Sequence, residues 1–202
     1  MIQASLRAHR GQFRLKADLE GSGTTCVAGN NGAGKTTLLR ALAGFIALDS
    51  GHVVVGGVDV TASPADKRGV VLVAPGSFLP RFDVDSHLRW GARLRGREPS
   101  EAELSKVKSE LGIDFAGTVG KLSTGMRERV ALATALFARP KVVLVDEGFA
   151  GLHDRDDFIS AYRRLLGGSG VDLVFTSQDE ADGRFADRTY RIADGNVRLA
   201  LA

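Results

Sequence analysis

The chain has 202 residues, 44% of them hydrophobic and 25% charged, with a formal net charge of +3, ordinary values for a soluble globular protein of one compact domain or a core with a small subdomain. Its basic residues are scattered rather than run together, which argues against a nucleic-acid footprint. A single cysteine, Cys26, excludes an internal disulfide framework and suits a reducing cytosol, the N-terminus has no signal-peptide core, and no apolar run reaches membrane-spanning length.

Residues 12–19 alternate, with Phe13, Leu15, Ala17 and Leu19 on one side and Gln12, Arg14, Lys16 and Asp18 on the other, the period of a half-buried strand. "TTCVA" (24–28) is a short strand feeding a glycine-rich loop, and "KTTLLRALAG" after it is a helix ending at Gly44. "HVVVGGVDV" (52–60) and "GVVLV" (69–73) are β-branched runs bounded by glycine or polar turns, hence strands. From about Val84 to Leu111 the pattern is helical, with Ser100 and Glu103 spaced as a capping box and Gly112 closing the stretch. A further helix, "TGMRERVALATALFA" (124–138), stops before Pro140. Strand character returns in "KVVLVDE" (141–147), followed by a helix from about Asp156 to Leu166, the strand "VDLVFTS" (171–177) and two short strands around Asp194 and Gly195. Strands alternating with helices predict an α/β fold with a largely parallel sheet, interrupted by a helical insertion.

Two segments carry chemistry. In "GNNGAGKTT" (29–37), Gly29, Gly34, Lys35 and Thr36 fill the fixed places of G-x-x-x-x-G-K-[ST]. Such a loop turns the backbone N–H groups of Gly29, Asn30, Asn31, Gly32, Ala33, Gly34, Lys35, Thr36 and Thr37 toward a nucleotide's phosphates at the positive end of the following helix. Lys35 would reach the β- and γ-phosphates and the Thr36 hydroxyl would ligate Mg²⁺. In "VVLVDE" (142–147) four aliphatics force a strand whose end delivers two carboxylates. Asp146 fits the Mg²⁺ partner of a Walker B strand, and Glu147 is placed to polarise a water attacking the γ-phosphate. The site so predicted takes the phosphates of a nucleotide with Mg²⁺. His9, His52 and His87 have no metal-ligand spacing.

"LSTGMRERVALATAL" (122–136) resembles the signature sequence of ABC-type ATPases, L-S-G-G-Q followed by a basic helix. Leu122, Ser123 and Gly125 match it, whereas Thr124 and Met126 depart. Ser123 is also a good N-cap for an ordinary helix, but its order relative to the glycine loop and the aliphatic-acidic strand favours the family. The resemblance covers nearly the whole chain. It implies a P-loop NTPase core with an N-terminal antiparallel β part and an inserted helical subdomain, about 81–121, plus the signature helix 122–138, all within one nucleotide-binding domain, 1–202. It implies a second cassette paired head-to-tail, so that Ser123 and Gly125 of one close on the ATP held by the other. Phe13 resembles the aromatic that stacks on adenine in this family, and equally lies on the apolar face of its strand. The resemblance further implies membrane-spanning transporter subunits as partners, contacted through the helical part and the loop around Ala74. The cassette would then be a cytoplasmic protein peripheral on the membrane. The chain is also expected to lack the additional C-terminal domain that sugar and oxyanion import ATPases often append.

Three positions depart from the family pattern. Ala74 stands where a glutamine is usual, Gln178 in "VFTSQDEA" (174–181) where a histidine touches the γ-phosphate, and His153 in "EGFAGLH" (147–153) where an aspartate is usual; Gly148 also replaces a proline. An amide at 178 can donate a hydrogen bond to phosphate but cannot carry charge or accept a proton. The expected activity is therefore an ATPase that drives transport with slow turnover, with Glu147 and Gln178 as its catalytic groups. The alternative is a soluble, non-transport cassette that binds ATP with little hydrolysis.

Overall fold

The computed structural model describes residues 1–200. In chain order its elements are β1 (Ile2–Arg10), β2 (Phe13–Gly21), β3 (Thr24–Ala28), α1 (Lys35–Ala43), β4 (Ser50–Val55), β5 (Val58–Asp59), β6 (Val70–Val73), α2 (Val84–Arg93), α3 (Glu101–Glu110), α4 (Thr124–Phe137), β7 (Val142–Val145), α5 (Arg155–Gly167), β8 (Asp172–Ser177), β9 (Arg188–Ala193) and β10 (Asn196–Leu199). The fold is mixed α/β. All ten strands join one sheet in the order β5-β4-β1-β2-β10-β9-β3-β8-β7-β6.

The alternation at 12–19 is β2, and its partner β1 carries the same period of two, with Ile2, Ala4, Leu6 and Ala8 buried. These two strands pair antiparallel, as do β1 with β4 and β4 with β5. In the other half β3 pairs parallel with both β8 and β9, and β7 pairs parallel with β8. The central strands β3, β7 and β8 are buried at every position, which is why they read as continuous apolar runs rather than alternations.

The chain divides into two compact units. The first comprises Met1–Leu72, Lys141–Glu147 and the chain from Gly170, and it holds almost the whole sheet together with α1. Leu38, Leu39 and Leu42 of α1 are fully buried in its core, each contributing about 1.5–3 kcal/mol of apolar burial. The C-terminus of α1 is closed from inside: the buried Arg68 guanidinium donates to Ala41 O and Leu42 O, and also to Thr61 O and Ser63 O. Carbonyls of the last helical turn thus receive charged donors.

The second unit comprises Val73–Pro140 and Gly148–Ser169 and holds α2, α3, α4 and α5. The helical stretch expected from Val84 to Leu111 comprises two helices, α2 and α3. Gly96 adopts φ 64°, and Ser100 starts α3 with the expected capping box, its side chain accepting from Glu103 N–H while Glu103 reaches back to Ser100 N–H. Helices α2 and α4 approach closely at Gly91, where a Cβ would lie 2.3 Å from Thr134 O.

Candidate nucleotide site

The glycine loop leaves the end of β3 and runs into α1 with no side-chain cap, so the first backbone N–H groups of the helix stay available to an anion. The loop is fixed from three sides within its unit. Gly29 N–H donates to Ser177 O of β8 (3.0 Å), Gly195 N–H of the β9–β10 turn donates to Ala33 O (3.0 Å), and Leu38 N–H donates to Gly34 O (2.9 Å). Two of its glycines are sterically required. A Cβ at Gly29 would lie 2.4 Å from Ile192 O, and one at Gly34, where φ is 110°, would lie 2.5 Å from Phe13 Cζ. Phe13 therefore sits both against the core and against the loop at Gly34.

Lys35 is 4% exposed, and its ammonium is satisfied inside the loop. Nζ donates to Gly29 O (2.6 Å) and Asn30 O (3.0 Å) and pairs with Glu147 Oε1 at 3.0 Å. The other Glu147 oxygen accepts a hydrogen bond from Gln178 Nε2 (2.9 Å). Burial pushes the Glu147 carboxyl up, but the hydrogen bonds from Gln178 and Lys35 and the Lys35 charge outweigh it, and its pKa lies below the ordinary value. Glu147 is thus held as the carboxylate.

Glu147 follows the end of β7 with φ 54°, in the left-handed region, a conformation that costs a non-glycine residue about 1–2 kcal/mol. That turn points its carboxylate to Lys35 and Gln178. The preceding residue, Asp146, is 5% exposed, and one of its oxygens accepts from the Thr176 hydroxyl at 3.1 Å. Thr36, on the first turn of α1, is half-buried. A carboxylate with one oxygen uncommitted to Thr176 and a loop hydroxyl are hard oxygen donors of the type that Mg²⁺ takes. The donor set fits the metal.

Among the sequence-predicted residues, Phe13, residues 29–37, Asp146, Glu147 and Gln178 all belong to the first unit, whereas Ser123 and Gly125 belong to the second. Ser123 is the N-cap of α4, its Oγ accepting from Met126 N–H (3.3 Å), and a Cβ on Gly125 would stand 3.0 Å from Gly151 O. The arginines of the signature helix are engaged within its unit rather than simply solvated. Arg129 donates to Leu111 O (2.6 Å), pairs with Asp154 and lies over the Phe158 ring, while Arg127 lies over Phe78. Sequence reasoning missed Thr176, whose only visible signal is a β-branched residue in a strand.

The sequence profile described as ABC transporter matches residues 13–150. The chain belongs to the ABC transporter family. It is 36% identical over 180 residues to the Fe(3+) ions import ATP-binding protein FbpC of Streptomyces coelicolor, covering 85% of this chain and 52% of that protein. It is 34% identical to the molybdenum import ATP-binding protein ModC of Rhodobacter capsulatus, covering 99% of this chain and 58% of that one. The cassette thus spans between half and three fifths of the length of these two relatives. Against the thiamine import ATP-binding protein ThiQ of a Jannaschia species it is 32% identical, covering 96% of this chain and 90% of the relative. In fold it is similar to a dimeric ATP-binding cassette in a post-hydrolysis state bound to ADP and Pi, with TM-score 0.83 at 17% identity over 99% of this chain and 98% of that one. It is similar as well to the ADP conformation of an ATP-binding cassette of an ABC transporter, with TM-score 0.79 at 21% identity over 98% and 89%. Among the described residues no helix is long and apolar enough to cross a membrane.

Proposed function

We propose that this cassette is the ATP-binding subunit of an ABC transporter, binding and hydrolysing Mg-ATP to drive transport through separate membrane-spanning subunits. The observation that carries the reading is the meeting of Lys35, inside a glycine loop at a helix N-terminus, with Glu147 at the end of the aliphatic strand β7. The relatives named above are import ATP-binding proteins, which supports import. Their cargos differ from one another, so none is carried over to this chain. The cassette would work at the cytoplasmic face of the membrane and pair with a second cassette, Ser123 and Gly125 of one facing the glycine loop of the other.

In this reading residues 29–37 wrap the phosphates with backbone N–H groups, Lys35 leaves its loop carbonyls for the β- and γ-phosphates, and Phe13 stands beside the base. Mg²⁺, when bound with ATP, withdraws charge from the phosphate oxygens. Thr36 and Asp146 would hold that ion. Glu147, freed from Lys35, accepts the proton of a water whose oxygen bonds to the γ-phosphorus as the bond to the ADP oxygen breaks. Gln178 orients Glu147 and can donate one neutral hydrogen bond toward the phosphate, which favours slow turnover.

Lys35→Ala tests the reading. Calorimetric titration with Mg-ATP should give tight binding in the wild type and none in the variant, with the circular dichroism of the two proteins superimposable. Equal ATP affinity in both proteins would overturn the nucleotide site.

A further inference from the structure

The hydroxyl of Thr176 touches both members of the carboxylate pair. Strands β7 and β8 run parallel with Val145 opposite Phe175, so one step further along each strand Asp146 stands beside Thr176. Thr176 is 2% exposed. Its Oγ1 accepts the Glu147 N–H at 3.0 Å and lies 3.1 Å from Asp146 Oδ1, with Val145 O further off at 3.4 Å. A hydroxyl has one proton to give. The closer, charged acceptor takes it, because hydrogen bonds to a carboxylate are the stronger ones. One atom therefore accepts from the backbone of one acidic residue and donates to the side chain of the other.

We infer that Thr176 is a positioning residue for the hydrolytic site, its single hydroxyl setting the Asp146 carboxylate and holding the left-handed backbone of Glu147. The inference rests on the ATPase reading above and deepens it. Glu147 keeps φ 54° because something over-determines it, and its N–H is anchored through Thr176 Oγ1. Without that anchor the turn after β7 can relax toward ordinary backbone, which swings the Glu147 carboxylate away from Lys35 and Gln178. Without the donated proton, Asp146 loses the bond that fixes its rotamer, and with it the direction of the oxygen left for a cation. A valine fills the same space in a strand as a threonine and would satisfy the packing alone. The hydroxyl is what the site uses.

Three proteins decide it: wild type, Thr176→Val and Thr176→Ser. Each is assayed for ATP hydrolysis, and for Mn²⁺ affinity in the presence of ADP by electron paramagnetic resonance. Partners that orient a metal ligand are typically worth about 10–100-fold in affinity or activity. Thr176→Val should therefore lower kcat by about tenfold or more and weaken Mn²⁺ binding, with KM for ATP changed by less than about threefold. Thr176→Ser, which keeps the hydroxyl, should recover most of both losses. Unchanged Mn²⁺ affinity or unchanged kcat in Thr176→Val overturns the inference, as does a Thr176→Ser protein impaired as much as Thr176→Val. Thr176→Ala gives the same comparison if the valine is not accommodated. A wild-type protein that binds ATP no better than Lys35→Ala would instead bring down the nucleotide reading itself, and the positioning role with it.

Discussion

Lys35 and Glu147 are bonded to each other at 3.0 Å across the mouth of the glycine loop, and each has further partners: loop carbonyls for the lysine, the Gln178 amide for the glutamate. The two groups that the proposed reaction needs apart, one on phosphate and one on water, neutralise each other in this arrangement. In the proposed reaction the phosphates displace the carboxylate from the ammonium, and a half-buried glutamate left beside a polyanion becomes a better base.

Glu147→Gln removes that charge and keeps the shape. The variant should bind Mg-ATP and fail to hydrolyse it, so that a pair of cassettes closed over two nucleotides accumulates. In a homodimer the contact is isologous, Ser123 of each protomer facing the loop of its partner. Light scattering of Glu147→Gln should report twice the monomer mass with ATP and the monomer mass with ADP. A monomer in both conditions would overturn pairing between copies of this chain.

Gln178 bears on rate. Its Nε2 donates one N–H to Glu147, and the other, a neutral donor, is all this side chain can offer the phosphate. Positioned acid–base or charge-stabilising groups are typically worth about 10²–10³-fold, so steady-state hydrolysis by the isolated cassette should be slow. Gln178→His should raise it, with Glu147→Gln as the inactive control in the same assay. A brisk wild-type enzyme slowed by Gln178→His would mean that the amide is the adapted residue, and the weakened-site reading would fail.

Whatever depends on spacing along the chain is legible in the amino-acid sequence. The loop 29–37, the aliphatic run before Asp146 and the Ser100–Glu103 capping box are local patterns, and each forms the predicted element. What depends on contacts between distant residues is not. Arg68 lies in "ADKRGV", which reads as polar surface, yet it is 5% exposed because it closes the C-terminus of a helix more than twenty residues earlier. Arg129 reads as solvated because a helix face of arginines usually is, yet the return of Asp154 and Phe158 beside it leaves its side chain 14% exposed. The left-handed backbone of Glu147 has no sequence signal at all, since glycine or asparagine is what such a turn ordinarily selects. The site is therefore legible as a set of residues, and its internal bonding is not.

His87 sets a pH limit on the second unit. It is 1% exposed on α2, with Phe82 and Trp90 edge-on to its ring. Its Nε2 accepts the Leu79 N–H at 2.9 Å, so the ring proton belongs on Nδ1, which donates to Thr134 Oγ1 at 2.8 Å; that hydroxyl passes its own proton to Val130 O at 2.7 Å. The arrangement admits only the neutral imidazole, and burial lowers the His87 pKa from its ordinary 6.5. The unfolded chain therefore takes up a proton near that ordinary value while the folded chain still refuses it. It follows that the His87 contribution is fully present above about pH 6.5 and is lost as pH falls below it. His87→Gln keeps an amide donor and acceptor without the titration. At about pH 7.5 the variant should be less stable than wild type by about 1–3 kcal/mol, from imperfect replacement of buried hydrogen bonds. By about pH 5.5 that gap should narrow, because only the wild type pays for proton exclusion. Urea midpoints of the two proteins at both pH values measure the gap directly, with the carboxylates common to both cancelling in the difference. A gap that stays constant or widens toward low pH would show that His87 is protonated in the fold, and the neutral bridge from Leu79 to Thr134 would have to be redrawn.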